Sequence, residues 1–438
     1  MENMVEHNTG DMVEPVRGGT SSDMVIRPIG ILDADKNRFL VHDGKRVWVT
    51  ADLSEDTDFQ QGISLLSGRD NGIAGQEVFG DGVFDFRYGP VTGGVMEAGV
   101  YHLFTYGERI LCVNIDWSYK HRGIEDQMVG LGVQEALKWT EQICGNFAFS
   151  HSLAYAKAVE SALSIETSPH LRKLRIIGLE LERIYNHIYV ISQLASAAAQ
   201  KVMTSHLQAI YEDLLRLNRD FLGSRFLNGF NAVAGTSQSF NIDALVHLSR
   251  RLDSISNRFE YLYERALESE NFMDRLHDTA KLNSETATKI GVTGPTLRAT
   301  GVREDMRIHD PDYEGLRCAI SQLGDSLARM EVRAEEVFES VEIISDISGE
   351  LRESGTEPRE RGVNGFNGTG SGLGYCETPG GILAYHVEIE KGKLASVYAA
   401  TPSLFGFKAI TESLLGNIFT DFPFAVESFG AYFADAAR

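Results

Sequence analysis

From Val25 to about Asp116, apolar and polar residues alternate in short runs separated by glycine and aspartate. FLVHDGKRVWVTADL sets Asp43-Gly44 between two alternating segments, and VYHLFTYGERILCVNIDW places Gly107 between a second pair. Both arrangements predict hairpins, so residues 25–116 read as a small antiparallel β domain. Near Glu125 the period changes. From Gln127 to about Ser269 apolar residues recur at three and four, as in HLRKLRIIGLELERIYNHIYVISQLASAAAQ, which predicts long helices. Thr-Ser-Pro, ending at Pro169, suits a helix start. A further helix is expected from about Tyr313 to Ile347. There Arg329 and Arg333 alternate with Glu331 and Glu335 on what reads as a partly exposed face.

Residues 350–374 form a charged, Gly-rich loop, ILAYHVEIEKGKLASVYAA reads as a hairpin with a Lys-Gly turn, and an aromatic segment closes the chain. The fold class is α+β: a helix bundle over 117–349, with residues 350–438 (loop, β hairpin and tail) packing back on it. Residues 1–24 are polar and read as a disordered N-terminus.

Charge and composition narrow the function classes. The 438 residues carry 41 Lys and Arg against 62 Asp and Glu, a net −21, which argues against a nucleic-acid partner. No run reaches the roughly 18 apolar residues of a membrane span. Cys112, Cys144, Cys318 and Cys376 form no C-x-x-C pair, which fits a reducing compartment.

Four clusters could carry chemistry. GPVTGGVMEAG (Gly89–Gly99) holds Glu97 and reads as a β-turn or as a close backbone approach to a ligand; it is no dinucleotide fingerprint. HRGIEDQ places His121, Arg122 and Glu125 at the strand-to-helix switch, as a local ion pair or as part of a buried junction site. EQICGNFAFSHSLAY reads as helix, with Cys144 and His151 two turns apart on one face. A metal pair is one reading and a buried apolar cysteine the other, and Phe147 stands where a second thiolate would be wanted. GPTLRATGVREDMRIHDPDYEG gathers Arg298, Arg303 and Arg307 with Asp305, His309 and Asp310, either solvated or holding a chain or anion.

In this order, GPVTGGVMEAG, YKHRGIE, EQICGNFAFSHSLAYAKAVE, ELERIYNH, VTGPTLRATGVREDMR, ETPGGILAYHVEIEKGK, ATPSLFGF and NIFTDFPFAVESF resemble the large subunit of group 4 energy-converting nickel–iron hydrogenases. That family includes the 49-kDa-type quinone-site subunit of respiratory complex I. The resemblance runs from about Phe84 to Arg438 and implies a hydrogenase-large-subunit-like fold.

It also implies where this chain departs. The family's first cysteine pair falls at Cys144 and Phe147, the second near Tyr432 and Asp435, and the arginine of Ala-Pro-Arg-Gly at Gly380. One thiolate cannot hold a four-thiolate nickel–iron centre, so no metal is expected and Cys144 marks a vestigial nickel position. The quinone-binding histidine and tyrosine fall at Thr92 and Gly145, with His151, Tyr155 and His187 as candidate substitutes.

Glu97 matches the family's proton-relaying glutamate, Arg122 and Glu125 the segment near the partner's iron–sulfur cluster, and Arg298, Arg303, Asp305 and Arg307 its charged loop. The resemblance thus implies catalytic roles for Glu97, His121, Arg122, Glu125 and His151. Substrate contacts are expected from Cys144, Phe147, Arg298, Arg303 and Asp305.

The expected protein is a peripheral large subunit on the cytoplasmic side of a membrane. It would take electrons from a small subunit bearing a [4Fe–4S] cluster and couple them to proton or ion translocation by antiporter-like membrane subunits. Quinone or a sulfur species is the candidate acceptor, and NAD enters only through the larger complex, as for the quinone-reducing subunit of an NADH dehydrogenase. The alternative is a non-catalytic coupling subunit whose old site is filled by Phe147, Phe429, Tyr432 and Phe433. A third reading, a nickel enzyme with other ligands, requires Cys112, Cys318 or Cys376 beside Cys144.

Overall fold

The computed structural model describes residues 26–33, 38–51, 63, 64, 66, 72, 73, 78–91, 97–237, 243–354 and 365–438. The expected disordered segment 1–24, Thr92 and part of the 350–374 loop lie outside the described residues.

The hairpins form where the turn residues place them. β2 (Arg38–His42) pairs antiparallel with β3 (Val47–Thr50), and Asp43 Oδ1 accepts the N–H of Lys45 and Arg46 across the turn, each at 2.9 Å. β1 (Arg27–Asp33) joins the β2 side. In the second hairpin, β6 (Val100–Tyr106) pairs with β7 (Arg109–Asp116), flanked by β5 (Val83–Tyr88) and the short β4 (Gly72–Ile73), in order β4-β7-β6-β5.

These are two sheets facing different partners. The first meets the last strand of the C-terminal sheet, where the Ile31 N–H donates to the Tyr398 hydroxyl. The second meets the tail: Phe86 edges Phe419, and Tyr101 edges Phe422 at 5.1 Å. Apolar residues of both sheets and of the tail therefore share one core.

The helices follow the three-and-four period. They are α1 (Ile124–Met128), α2 (Val133–Thr140), α3 (Ala148–Ala162), α4 (Pro169–Ala197), α5 (Lys201–Leu222), α6 (Asp243–Leu267), α7 (Glu270–Leu276), α8 (Ser284–Ile290) and α9 (Gly294–Arg298). β8 (Asn231–Ala232) and β9 (Gly235–Thr236) form a small ribbon before α6. Pro169 opens α4, with Ser168 Oγ accepting the Leu171 N–H.

Three expectations shift. α3 begins at Ala148, so Cys144 is not helical; its backbone is extended (φ −141°, ψ 117°). The helix expected from Tyr313 starts only at Ser326 (α10, Ser326–Glu353), because Gly324 at φ 69° turns the chain and the Asp325 carboxylate caps the Ala328 N–H. Arg329 and Arg333 are fully buried rather than half-exposed. Helices pack on several sides of α10, and both guanidiniums reach the tail, Arg329 through Ser428 Oγ and Arg333 through the Phe429 carbonyl.

At the C-terminal end, the hairpin gains a strand that the periodicity did not reveal. β10 (Gly370–Thr378), β11 (Gly381–Glu390) and β12 (Lys393–Ala400) run in order, with Lys391-Gly392 at the expected turn. Bare glycines let β10 lie against the α3 backbone. A Cβ on Gly370, Gly372 or Gly374 would come within 2.2–2.3 Å of Ala162, Ala158 or Ala154 main-chain atoms. α11 (Pro402–Ser413), α12 (Phe422–Phe429) and α13 (Phe433–Ala437) complete a fold of helices with several small antiparallel sheets.

Candidate functional site

The strand-to-helix switch is a clamp on two other segments. The Arg122 guanidinium donates to the carbonyls of Gln142 and Ile143, just before Cys144, and its N–H donates to the Arg438 carbonyl. His121 Nδ1 lies 2.8 Å from the Ala437 carbonyl, so it carries the proton. Glu125 accepts the Ala399 N–H at 2.7 Å. The three residues thus tie the Cys144 turn, β12 and the tail together.

Behind this clamp lies the Cys144 turn. Cys144 is buried, and burial pushes its thiol well above the usual range, with the charges of Asp435 and Glu97 adding to the effect. The Phe147 ring stands edge-on to Tyr432, 5.2 Å between centroids at 79°. A Cβ on Gly380 would meet Phe147 Cζ at 2.8 Å, so the ring occupies the space before that glycine. The Tyr432 hydroxyl accepts from Asn186 Nδ2 at 3.1 Å. The other two aromatics expected here pack differently: Phe429 lies under Arg329, 3.9 Å from guanidinium carbon to ring centre, and Phe433 stacks on Phe407.

His151, on α3, is fully buried between Asp435 Oδ1 (3.0 Å from Nε2) and the Tyr385 hydroxyl (2.8 Å from Nδ1). The Asp435 carboxylate accepts, so Nε2–H donates to it, and in the neutral ring Nδ1 accepts from the Tyr385 hydroxyl. Asp435 also accepts the Ser403 N–H. Glu97 reaches the same tail segment, accepting the Ala434 N–H at 3.0 Å. Glu97, Cys144, Phe147 and His151 are therefore gathered around residues 432–435.

The charged loop divides. Arg303 is exposed, while Arg298, Asp305 and Arg307 are buried in an ionic cluster. Arg298 donates to Glu336 and Glu377, Arg307 to Asp305 and Glu180, and Arg183 to Glu180 and Glu336. His187 is held neutral, its pKa lowered to about 3 by burial. Its Nε2–H donates to Glu336, and Nδ1 accepts from Arg333.

Three guanidiniums (Arg183, Arg298, Arg307) thus face four carboxyls. Burial, then the Asp305 charge, raises Glu377 to about 7, whereas Arg298 and the His187 bond overcome burial and hold Glu336 well below normal. Glu180, Arg183, Glu336 and Glu377 were not anticipated. The i, i+3, i+7 spacing of Glu180, Arg183 and His187 in ELERIYNH was the signal available. Arg307 and Glu377 also line a cavity of about 380 Å³ with Lys45, Lys157, Arg175 and Tyr375.

The other three cysteines each face an oxygen. Cys112 faces Asn114, Cys318 the Ala319 carbonyl and Cys376 the Ser150 carbonyl. Among the described residues, three metal-ligand-type atoms converge only at His277, Asp278 and Asp325.

Residues 202–363 match the family described as the respiratory-chain NADH dehydrogenase 49 Kd subunit. The chain is 25% identical over 372 residues to membrane-bound hydrogenase subunit alpha of Pyrococcus furiosus, covering 78% of this chain and 84% of that one. It is also 23% identical over 361 residues to an NADH-quinone oxidoreductase subunit of Akkermansia muciniphila, covering 76% and 87%. This chain is a relative of the 49-kDa-type subunits. A chain in the structure of the membrane-bound sulfane sulfur reductase, an archaeal respiratory membrane complex, shares the fold. It aligns at TM-score 0.76 and 21% identity over 83% of this chain and all of that one. No helix among the described residues of this 49-kDa-type relative is long and apolar enough to cross a membrane.

Proposed function

We propose that this chain is the peripheral large subunit of a membrane-associated oxidoreductase complex that works without nickel. The observation that carries the reading is the Phe147–Tyr432 ring pair beside the single thiol of Cys144. By the resemblance, those two aromatics, with Asp435, would fall at three of the four thiolate positions of a nickel–iron centre. Neither ring offers a soft anionic donor, and the carboxylate is engaged by His151 and Ser403. The residues present do not fit that metal.

Electrons would come from a 4Fe–4S cluster in a small partner subunit, seated against the His121–Glu125 clamp, and would be coupled to ion movement by membrane subunits. A quinone acceptor would take two electrons and two protons. Glu97 and the Tyr385–His151–Asp435 chain are the proton-bearing groups nearest the old centre. The ionic cluster would pass charge changes into conformation by Coulomb coupling. The filled ring pair also favours a second reading, in which this subunit couples or scaffolds and the acceptor binds elsewhere.

The test is elemental analysis of the complex purified with its native partners. Iron at about four per complex or a multiple, with nickel absent, is the expected result; stoichiometric nickel overturns the reading. Reduction of quinone or sulfur acceptors by the same preparation then separates the catalytic role from the coupling one.

A further inference from the structure

A second acidic group, Glu427 of the NIFTDFPFAVESF run, faces Glu97. Glu427, on α12, is buried, and with Glu97 it lines a cavity of about 20 Å³ bounded by Tyr101, Phe407, Tyr432 and Phe433. That volume has room for a single water. Glu97 is pinned to one wall by the Ala434 N–H, a donor that favours its ionised form. Among the described residues, no side-chain hydrogen bond or ion pair reaches the Glu427 carboxyl.

The surrounding charges are committed elsewhere. On α10, Arg329 and Arg333 bind Ser428 and the Phe429 carbonyl. Lys408 on α11 pairs with Glu412, and Arg275 on α7 lies over the Phe424 ring. Toward Glu427 itself, β6 presents Tyr101 and α4 presents Tyr189, both neutral phenols. Lys120 and Asp435 act on Glu97, with opposite signs.

We propose that Glu97 and Glu427 share one proton across this cavity, as a carboxylate and a carboxylic acid, and that the pair is a proton-holding station beside Tyr432. Two carboxylates in an apolar cavity without a cation cannot both ionise cheaply. The proton rests on Glu427, because Glu97 has the backbone donor and Glu427 has none. Burial and then the Glu97 charge push Glu427 up to about 8, and burial raises Glu97 as well. A charge arriving near Tyr432 would therefore change how firmly the pair holds its proton, whichever acceptor the complex uses.

The test is infrared titration of the carboxyl C=O stretch in the purified complex, comparing wild type, Glu427→Gln and Glu97→Gln, with circular dichroism confirming the fold. At pH 7 the wild type is expected to show a protonated-carboxyl band that E427Q removes. In E97Q that band should titrate at least tenfold lower in proton affinity. No band lost on E427Q, or an unchanged titration in E97Q, overturns the pairing. The readout needs neither turnover nor a metal count, so its failure is distinguishable from failure of the reading above.

Discussion

The Glu182 carboxylate, in the middle of α4, accepts the Phe149 N–H at the first turn of α3 at 2.8 Å, and takes the Ser150 N–H and hydroxyl as well. α3, which carries His151, is thus capped by another helix. Burial, the largest influence, raises Glu182 to about 7 despite those bonds. A folded-state pKa above the unfolded one means stability falls as pH rises from about 4.5 to 7. By linkage this group accounts for on the order of 2–3 kcal/mol of that fall. Glu182→Gln should flatten the slope in urea melts between pH 5 and 8. An unchanged slope would show that Glu182 ionises normally.

Phe147→Ala should lower stability by about 3–5 kcal/mol, as expected for emptying an aromatic site in a packed core. Tyr432→Phe should cost about 1–2 kcal/mol, because it strands Asn186 Nδ2, whose Oδ1 already has no partner. Guanidinium melts of both variants check the pair. A neutral Phe147→Ala would mean the ring does not fill the space before Gly380.

Glu336 takes Arg298, Arg183 and His187 at once. Glu336→Ala leaves buried guanidiniums uncompensated and should cost about 3–5 kcal/mol. Arg303→Ala, at an exposed neighbour in the same motif, should change stability by less than about 0.5 kcal/mol. Equal losses in the two variants would dissolve the distinction between cluster and loop.

Cys144 and Cys376 should resist alkylation in the native protein at pH 7, since both are buried and burial raises their pKa, Cys376 to about 12. Cys112 and Cys318 are partly exposed and should label first. Peptide mapping after timed treatment settles the order. Early labelling of Cys144 would reveal an open path to this buried turn.

Much of the architecture was readable because it is local. Asp43-Gly44, Lys391-Gly392 and Pro169 each act within a few residues, and the hairpins and the helix appear there. The burial of Arg329 and Arg333 was not readable. Periodicity distinguishes an apolar face from a polar one, but α10 packs on several sides and its arginines find carbonyl and hydroxyl partners in a tail about 100 residues away. The same distance hid Glu377 and Glu180 from Arg298 and Arg307. The lost cysteine positions pointed to Phe147, Phe429, Tyr432 and Phe433 as one group; Phe147 and Tyr432 do meet, but Phe429 and Phe433 pack elsewhere. Glu427 could not be found that way, because only the fold sets it opposite Glu97.

The glycine seam between α3 and β10 also governs when the site comes into being. Its two sides lie roughly 200 residues apart in the chain, a contact of high sequence separation whose loop-closure entropy delays it. α4, α5 and α6 are neighbours in sequence and can associate early. His151 then waits for β11 to bring Tyr385 and for the tail to bring Asp435. Assembly of the proton-bearing groups is thus expected to be a late folding event. A slow refolding phase should accompany the burial of Tyr385 and Tyr432, well after helix content has recovered.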